Sequence, residues 1–131
     1  MDRPNLEKIF SMPELLSDDV SSHIAVAHNY VTEGSSDIAV GILTETVKRF
    51  PDSAKAFFEL GYLQYELDRL DEAIVNLKQS IALDPIRNPK KYFTLAEMSS
   101  HSDAVLLYET GINLYKSKLT NTALDGILTR A

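Results

Sequence analysis

Three histidines, His23, His28 and His101, and a run of carboxylates at Asp68, Asp71 and Glu72 are the groups in this sequence that could move protons or hold a metal ion. Catalysis by general acids and bases needs such groups to converge on one reacting point. Here they do not converge. His23 occupies a packing position and reads as a core residue rather than a base, and His101 lies in a turn, where exposure is expected. His23 and His28 are five residues apart, which sets them on different faces of one helix and argues against a shared metal ion. The chain has no cysteine, so no thiolate nucleophile, disulfide or cysteine-ligated zinc is available. It has no glycine-rich phosphate loop, no G-x-S-x-G elbow and no H-E-x-x-H motif. The carboxylate run reads as a solvated turn and helix cap, with a binding role as the alternative. No catalytic residue, metal site or cofactor is expected.

Aromatic residues form a more informative set. Phe57, Leu60 and Gly61 take the core-facing positions of their helix, so Phe58 and Tyr62 are expected to be partly exposed beside Glu66. Rigid aromatics next to a carboxylate give a large contact area, lose little entropy and can orient a basic segment. Packing of the same rings against a neighbouring structural unit is the competing reading.

Length and charge narrow the classes further. The 131 residues suit one domain, and 44% hydrophobic with 24% charged residues is a composition that folds. The net charge of -6 opposes direct binding to nucleic acid or an anionic membrane and favours a basic protein partner. The first five residues, Met1 to Asn5, lead into no apolar leader segment, and no stretch approaches the roughly 18 apolar residues of a membrane span. A cytoplasmic or nuclear location is the expectation, and the lack of cysteine is compatible with a reducing compartment.

The elements that position these residues follow from an internal repeat. Shifted by 34 positions, Ala27 falls on Gly61, Ala39 on Ala73, Leu43 on Leu77, Val47 on Ile81 and Pro51 on Pro85. Val26 on Leu60 and Val40 on Ile74 keep the same register. Apolar residues recur at intervals of three and four, which predicts helices rather than strands. Pro51 and Pro85 close each unit, because proline donates no backbone hydrogen bond and disfavours helix in the residue before it. Small residues at Ala27 or Gly61 and at Ala39 or Ala73 allow two helix axes to approach closely. Gly34 to Asp37 and Asp68 to Glu72 are expected to form the turns within the two hairpins, with acidic residues favouring the start of each second helix.

Phe57, Leu60, Gly61, Tyr65, Ala73, Leu77 and Pro85 resemble the signature of tetratricopeptide repeats, and Tyr30, Gly34, Ala39 and Pro51 hold the same register one unit earlier. The expected fold is all-α: a right-handed superhelical solenoid of antiparallel helix pairs, about three hairpins plus a terminal helix. Residues 20–53 form repeat one and 54–87 repeat two. Residues 88–118 form a shortened third hairpin, since Ala104 lies 31 rather than 34 positions after Ala73. Its second helix is expected to end near Ser117. Residues 119–131 place Ala123, Leu124, Ile127, Leu128 and Ala131 on one face, as the first helix of an incomplete fourth unit. That suggests either a longer array or an end that packs on something else. Residues 1–19 are either a short helical cap or a mobile tail.

In the tetratricopeptide architecture the first helices of successive units line a concave groove. The resemblance implies that His28, Val31, Phe58, Tyr62, Tyr65, Glu66 and Tyr92 face it, with core packing as the alternative for Tyr65 and Tyr92. Heat-shock co-chaperones of this class grip a terminal carboxylate with lysine, asparagine and arginine. Ile24, His28, Glu59, Pro89 and Phe93 stand at those positions here, and Glu59 would repel a carboxylate. The run Lys91 to Met98, the compressed turn, Ala104 to Tyr108 and Gly111-Ile112 resemble the fungal assembly chaperones for large-subunit ribosomal protein L-four, over roughly residues 20–131. That resemblance implies a partner that is a newly made, basic ribosomal protein, shielded from aggregation and escorted to the nucleus. A general adaptor in a multiprotein complex is the alternative.

Overall fold

A computed structural model describes residues 6–128, and all the regular structure in them is helical. The elements are α1 (Leu6–Phe10), α2 (Pro13–Leu16), α3 (Val20–Thr32), α4 (Ser36–Arg49), α5 (Ala54–Glu66), α6 (Leu70–Leu83), α7 (Lys90–Glu97) and α8 (His101–Leu128). They fall into two compact units, one ending at Leu83 and the other beginning at Asp84.

In the first unit the helix ends repeat at the same stride as the core. Asp19 caps α3 by accepting a hydrogen bond from the Ser21 amide at 3.0 Å, and Ser53, 34 residues later, caps α5 by accepting from the Ala56 amide at 3.1 Å. Each cap satisfies an amide that the first helical turn leaves without a partner. The exits match as well. After α3 the amides of Gly34 and Ser35 donate to the carbonyls of Val31 and Tyr30; after α5 those of Asp68 and Arg69 donate to Tyr65 and Gln64. This is the Schellman arrangement, and it needs a left-handed residue just past the helix. Gly34 supplies it at φ 85° without strain, whereas Asp68 adopts φ 62° despite its side chain. Asp68 therefore terminates α5 instead of starting α6, which begins at Leu70.

α3 pairs with α4, α5 with α6, and α4 joins the two hairpins by packing on α5. The shared core comprises Ile24, Val26 and Ala27 of α3, Ile38 to Leu43 of α4 apart from Gly41, and Leu60 and Leu63 of α5. Complete burial of residues such as Ile42 and Leu43 contributes about 1.5–3 kcal/mol each relative to exposure. Ala27, Ala39, Ala73 and Leu77 have no exposed surface, and Tyr30 packs against the core from its edge. Phe57, by contrast, stays only half-buried. At Gly61 an added Cβ would lie 2.9 Å from Leu77 Cγ and 3.2 Å from the Ala73 carbonyl oxygen, so the seam admits glycine alone without movement. Pro51 and Pro85 each stand two residues beyond a helix, after Arg49 and Leu83.

Residues 6–16 belong to this unit. α1 packs on α4 and α2 on α3, burying Ile9 and Leu15, while Phe10 and Met12 lie against the core. Arg49 reinforces the contact by donating to the Leu15 carbonyl at 2.5 Å. The short helices thus cover apolar surface of the first hairpin. Pro4 lies outside the described residues.

The second unit is one helix pair, α7 on α8. α7 has 8 residues against 13 in α3 and α5, so the shortening of the third hairpin sits in its first helix. Gly111 again marks the crossing, because a Cβ there would meet the Phe93 ring at 2.5 Å. Ahead of α7 the loop is pinned by polar contacts. The Asp84 carboxylate accepts from the Ile86 and Arg87 amides, the Tyr92 hydroxyl donates to the Pro85 carbonyl at 2.7 Å, and the Lys91 ammonium donates to the Asp84 carbonyl. Ala104 is only half-buried.

The expected helix end near Ser117 is not there. α8 runs unbroken from His101 to Leu128, because no proline or glycine stands between Gly111 and Gly126 to stop it. The side chains of Ala123, Leu124, Ile127, Leu128 and Ala131, on which the fourth-unit reading rests, lie outside the described residues.

Candidate functional site

α5 carries an aromatic ladder. Phe58, Tyr62 and Tyr65 follow one another at intervals of four and three, the spacing that stacks side chains along one face of a helix. Phe58 and Tyr62 lie nearly parallel, with ring centroids 5.7 Å apart and an interplanar angle of 25°. Tyr62 and Tyr65 follow at 6.2 Å and 40°. Glu66, exposed, follows Tyr65 in the chain and stands one turn beyond Tyr62.

α3 lies alongside α5. His28 Nε2 contacts Glu59 Oε2 at 2.8 Å, linking the first helices of the two repeats by a side-chain hydrogen bond. His28 is 55% exposed and Glu59 19%, so the pair sits at the surface, where such contacts contribute at most about 1 kcal/mol. Val31 is half-buried and packs against the core. The result is one face of the first unit that holds two half-buried tyrosines, an imidazole and two carboxylates.

Two residues assigned to this face are placed differently. Phe58, expected to be partly exposed, keeps only 7% of its surface, since its ring is covered on one side by Tyr62. It supports the ladder from below and presents little area to a guest. Tyr92 belongs to the second unit and keeps 6%, its hydroxyl tied to the Pro85 carbonyl. Burial raises the Tyr92 pKa, with the nearby Asp84 charge acting in the same direction. Its position is that of a core residue.

The remaining candidates for chemistry are dispersed. His23 is fully buried, sits edge-on to Phe50 at 5.2 Å, and donates from Nε2 to the Ser17 carbonyl at 2.9 Å. This is a packed histidine in the core. His101 is exposed at the start of α8. Among the described residues no group of three or more His, Asp or Glu side chains is placed to hold a metal ion. No helix among them is long and apolar enough to cross a membrane.

The His28–Glu59 link was not legible in the sequence: 31 residues separate the two, and only the lateral contact of α3 with α5 brings them together. Lys91 was equally hidden. A lysine is almost never fully buried without a partner, yet this one keeps 2% of its surface. Burial lowers its pKa, and Asp84 partly opposes that shift.

No protein-family model matches the sequence, and neither does any curated protein. Solved structures do match. A crystal structure of MamA superposes with a TM-score of 0.68 over 83% of this chain and 64% of MamA, at 24% identity. MamA labelled AMB-1 gives 0.67 over 85% of this chain and 61% of that one, at 25% identity. MamA labelled MSR-1 gives 0.67 over 86% and 65%, at 24% identity. The chain thus spans less than two thirds of the length of these neighbours. MamA is a tetratricopeptide-type helical repeat protein, and the fold of the present chain is of that type.

Proposed function

We propose that this chain is a non-catalytic scaffold that holds a basic segment of another protein on the face shared by α3 and α5, as an adaptor within a larger assembly. The observation that carries the reading is the Tyr62–Tyr65 pair beside Glu66, with Glu59 and His28 flanking it. Aromatic faces attract guanidinium and ammonium groups, and carboxylates at the rim fix their orientation. The net charge of -6 acts in the same sense. Similarity to helical repeat structures supports a binding role over catalysis.

A narrower reading is that the guest is a newly made ribosomal protein and the chain its dedicated chaperone, active in the cytoplasm and nucleus. It rests on the resemblance carried by Lys91 to Met98 and Ala104 to Ile112. Copurification at low and high salt, followed by mass spectrometry, separates the two. Salt-sensitive retention of one basic ribosomal protein supports the chaperone; a stable neutral complex supports the adaptor. Retention unchanged by Tyr62→Ala combined with Glu66→Gln, at full helicity, removes the α3/α5 face from both.

A further inference from the structure

α8 has 28 residues against 8 in α7, and it carries an ordered apolar stripe that stays partly exposed. Val105, Tyr108, Ile112, Tyr115 and Leu119 are spaced three, four, three and four, the pattern that forms the seam of a two-stranded coiled coil. Each retains between 38% (Tyr108) and 54% (Leu119) of its surface. The contacts with α7 are centred on a neighbouring strip of the helix, at Gly111 against Phe93; of the seam residues Tyr108 also stacks on Phe93, with ring centroids 6.3 Å apart, and still keeps 38% of its surface. Regular spacing over four turns distinguishes it from scattered surface apolar residues, which need no explanation.

We propose that this stripe is a self-association surface, on which α8 of a second copy of the chain packs antiparallel. Charge selects the occupant and its direction. Glu109 and Lys116 are both exposed and follow Tyr108 and Tyr115 by one residue, so they lie on the same edge of the seam. In an antiparallel pair with Ile112 set against Tyr115 of the second copy, and Tyr108 against its Leu119, each Glu109 comes alongside the other copy's Lys116. Symmetry makes that contact twice. A parallel pair sets Glu109 and Lys116 against Ala104 and Gly111 of the other copy, where no charge answers them. The seam is therefore complementary to itself in one orientation.

The five side chains expose roughly 400 Å² per copy, about half of the ~800 Å² that each partner contributes to a standard stable interface. The association is accordingly weak and concentration-dependent.

Sedimentation equilibrium of the full chain, from low micromolar to near-millimolar concentration, tests the proposal. A monomer–dimer equilibrium is expected. Tyr115→Glu, at an exposed site that the fold does not need, is expected to weaken it by about tenfold or more. Glu109→Lys and Lys116→Glu each weaken it, and the double exchange Glu109→Lys/Lys116→Glu restores it. A monomer at every concentration overturns the proposal, as does a dimer indifferent to Tyr115→Glu. Failure of the double exchange to recover the loss overturns the antiparallel pairing, and growth beyond the dimer would mean that the ends stack as successive repeats instead.

Discussion

Replacing Gly61 with alanine probes the closest approach in the first unit. The new Cβ would sit 2.9 Å from Leu77 Cγ, 3.2 Å from Leu77 Cδ2 and 3.2 Å from the Ala73 carbonyl oxygen. Carbon atoms in good contact stand about 3.5–4.0 Å apart, so roughly half an ångström or more of separation must be found. Leu77 and Ala73 are completely buried and cannot retreat toward solvent. Overpacking of this kind costs about 1–3 kcal/mol, against which alanine recovers about 1 kcal/mol of helix propensity. A net loss of about 0–2 kcal/mol is expected, read as a lower midpoint in urea at constant slope, with circular dichroism as the probe. Leu77→Ala alone should cost about 2–5 kcal/mol by opening a cavity. In that background Gly61→Ala should become neutral or stabilising, a coupling of about 1–3 kcal/mol. Equal effects of Gly61→Ala in both backgrounds would refute the reasoning, because they would show that Gly61 is not small for the sake of Leu77.

Further outcomes follow from local features. Asp68→Gly should stabilise the chain by about 1 kcal/mol by relieving the left-handed backbone, and Gly34→Ala should destabilise it by about 1–2 kcal/mol; paired thermal melts check the opposite signs. Asp19→Ala and Ser53→Ala should each cost about 1 kcal/mol as lost caps, measurable by the same melts. The buried Lys91 has a pKa below its ordinary 10.5 in the folded chain. The unfolded chain therefore binds the extra proton between the lowered value and 10.5, and this group's contribution to stability rises with pH across that window. Lys91→Met should abolish that rise in denaturant titrations at successive pH values, whereas Lys91→Ala should lose about 2–5 kcal/mol at neutral pH through lost packing.

Those features differ in how far the chain itself announces them. The stride of 34 exposed Ala39, Ala73, Gly61 and Leu77 as the helix seams because close packing constrains residue size, and size is visible in sequence. The same stride links Asp19 to Ser53 and Gly34 to Asp68, signals of capping and turn chemistry that comparison of apolar positions alone passes over. The burial of Phe58 was hidden because one helix position can face either a groove or a neighbouring ring, and only the stack with Tyr62 settles it. The repeat, extended beyond its last proline, predicts two helices where α8 is one. With no proline or glycine between Gly111 and Gly126, helix propagation adds one hydrogen bond per residue and simply continues. The contact of His28 with Glu59 depends on lateral placement of helices, about which local sequence says nothing.

The binding face is tested most directly by mapping backbone amide shifts of the isotope-labelled chain as a lysine- and arginine-rich peptide is added. The account predicts saturable shifts centred on His28, Glu59, Tyr62, Tyr65 and Glu66, lost in the Tyr62→Ala/Glu66→Gln variant. Shifts confined to α4 and α6, or none at any peptide concentration, would contradict it.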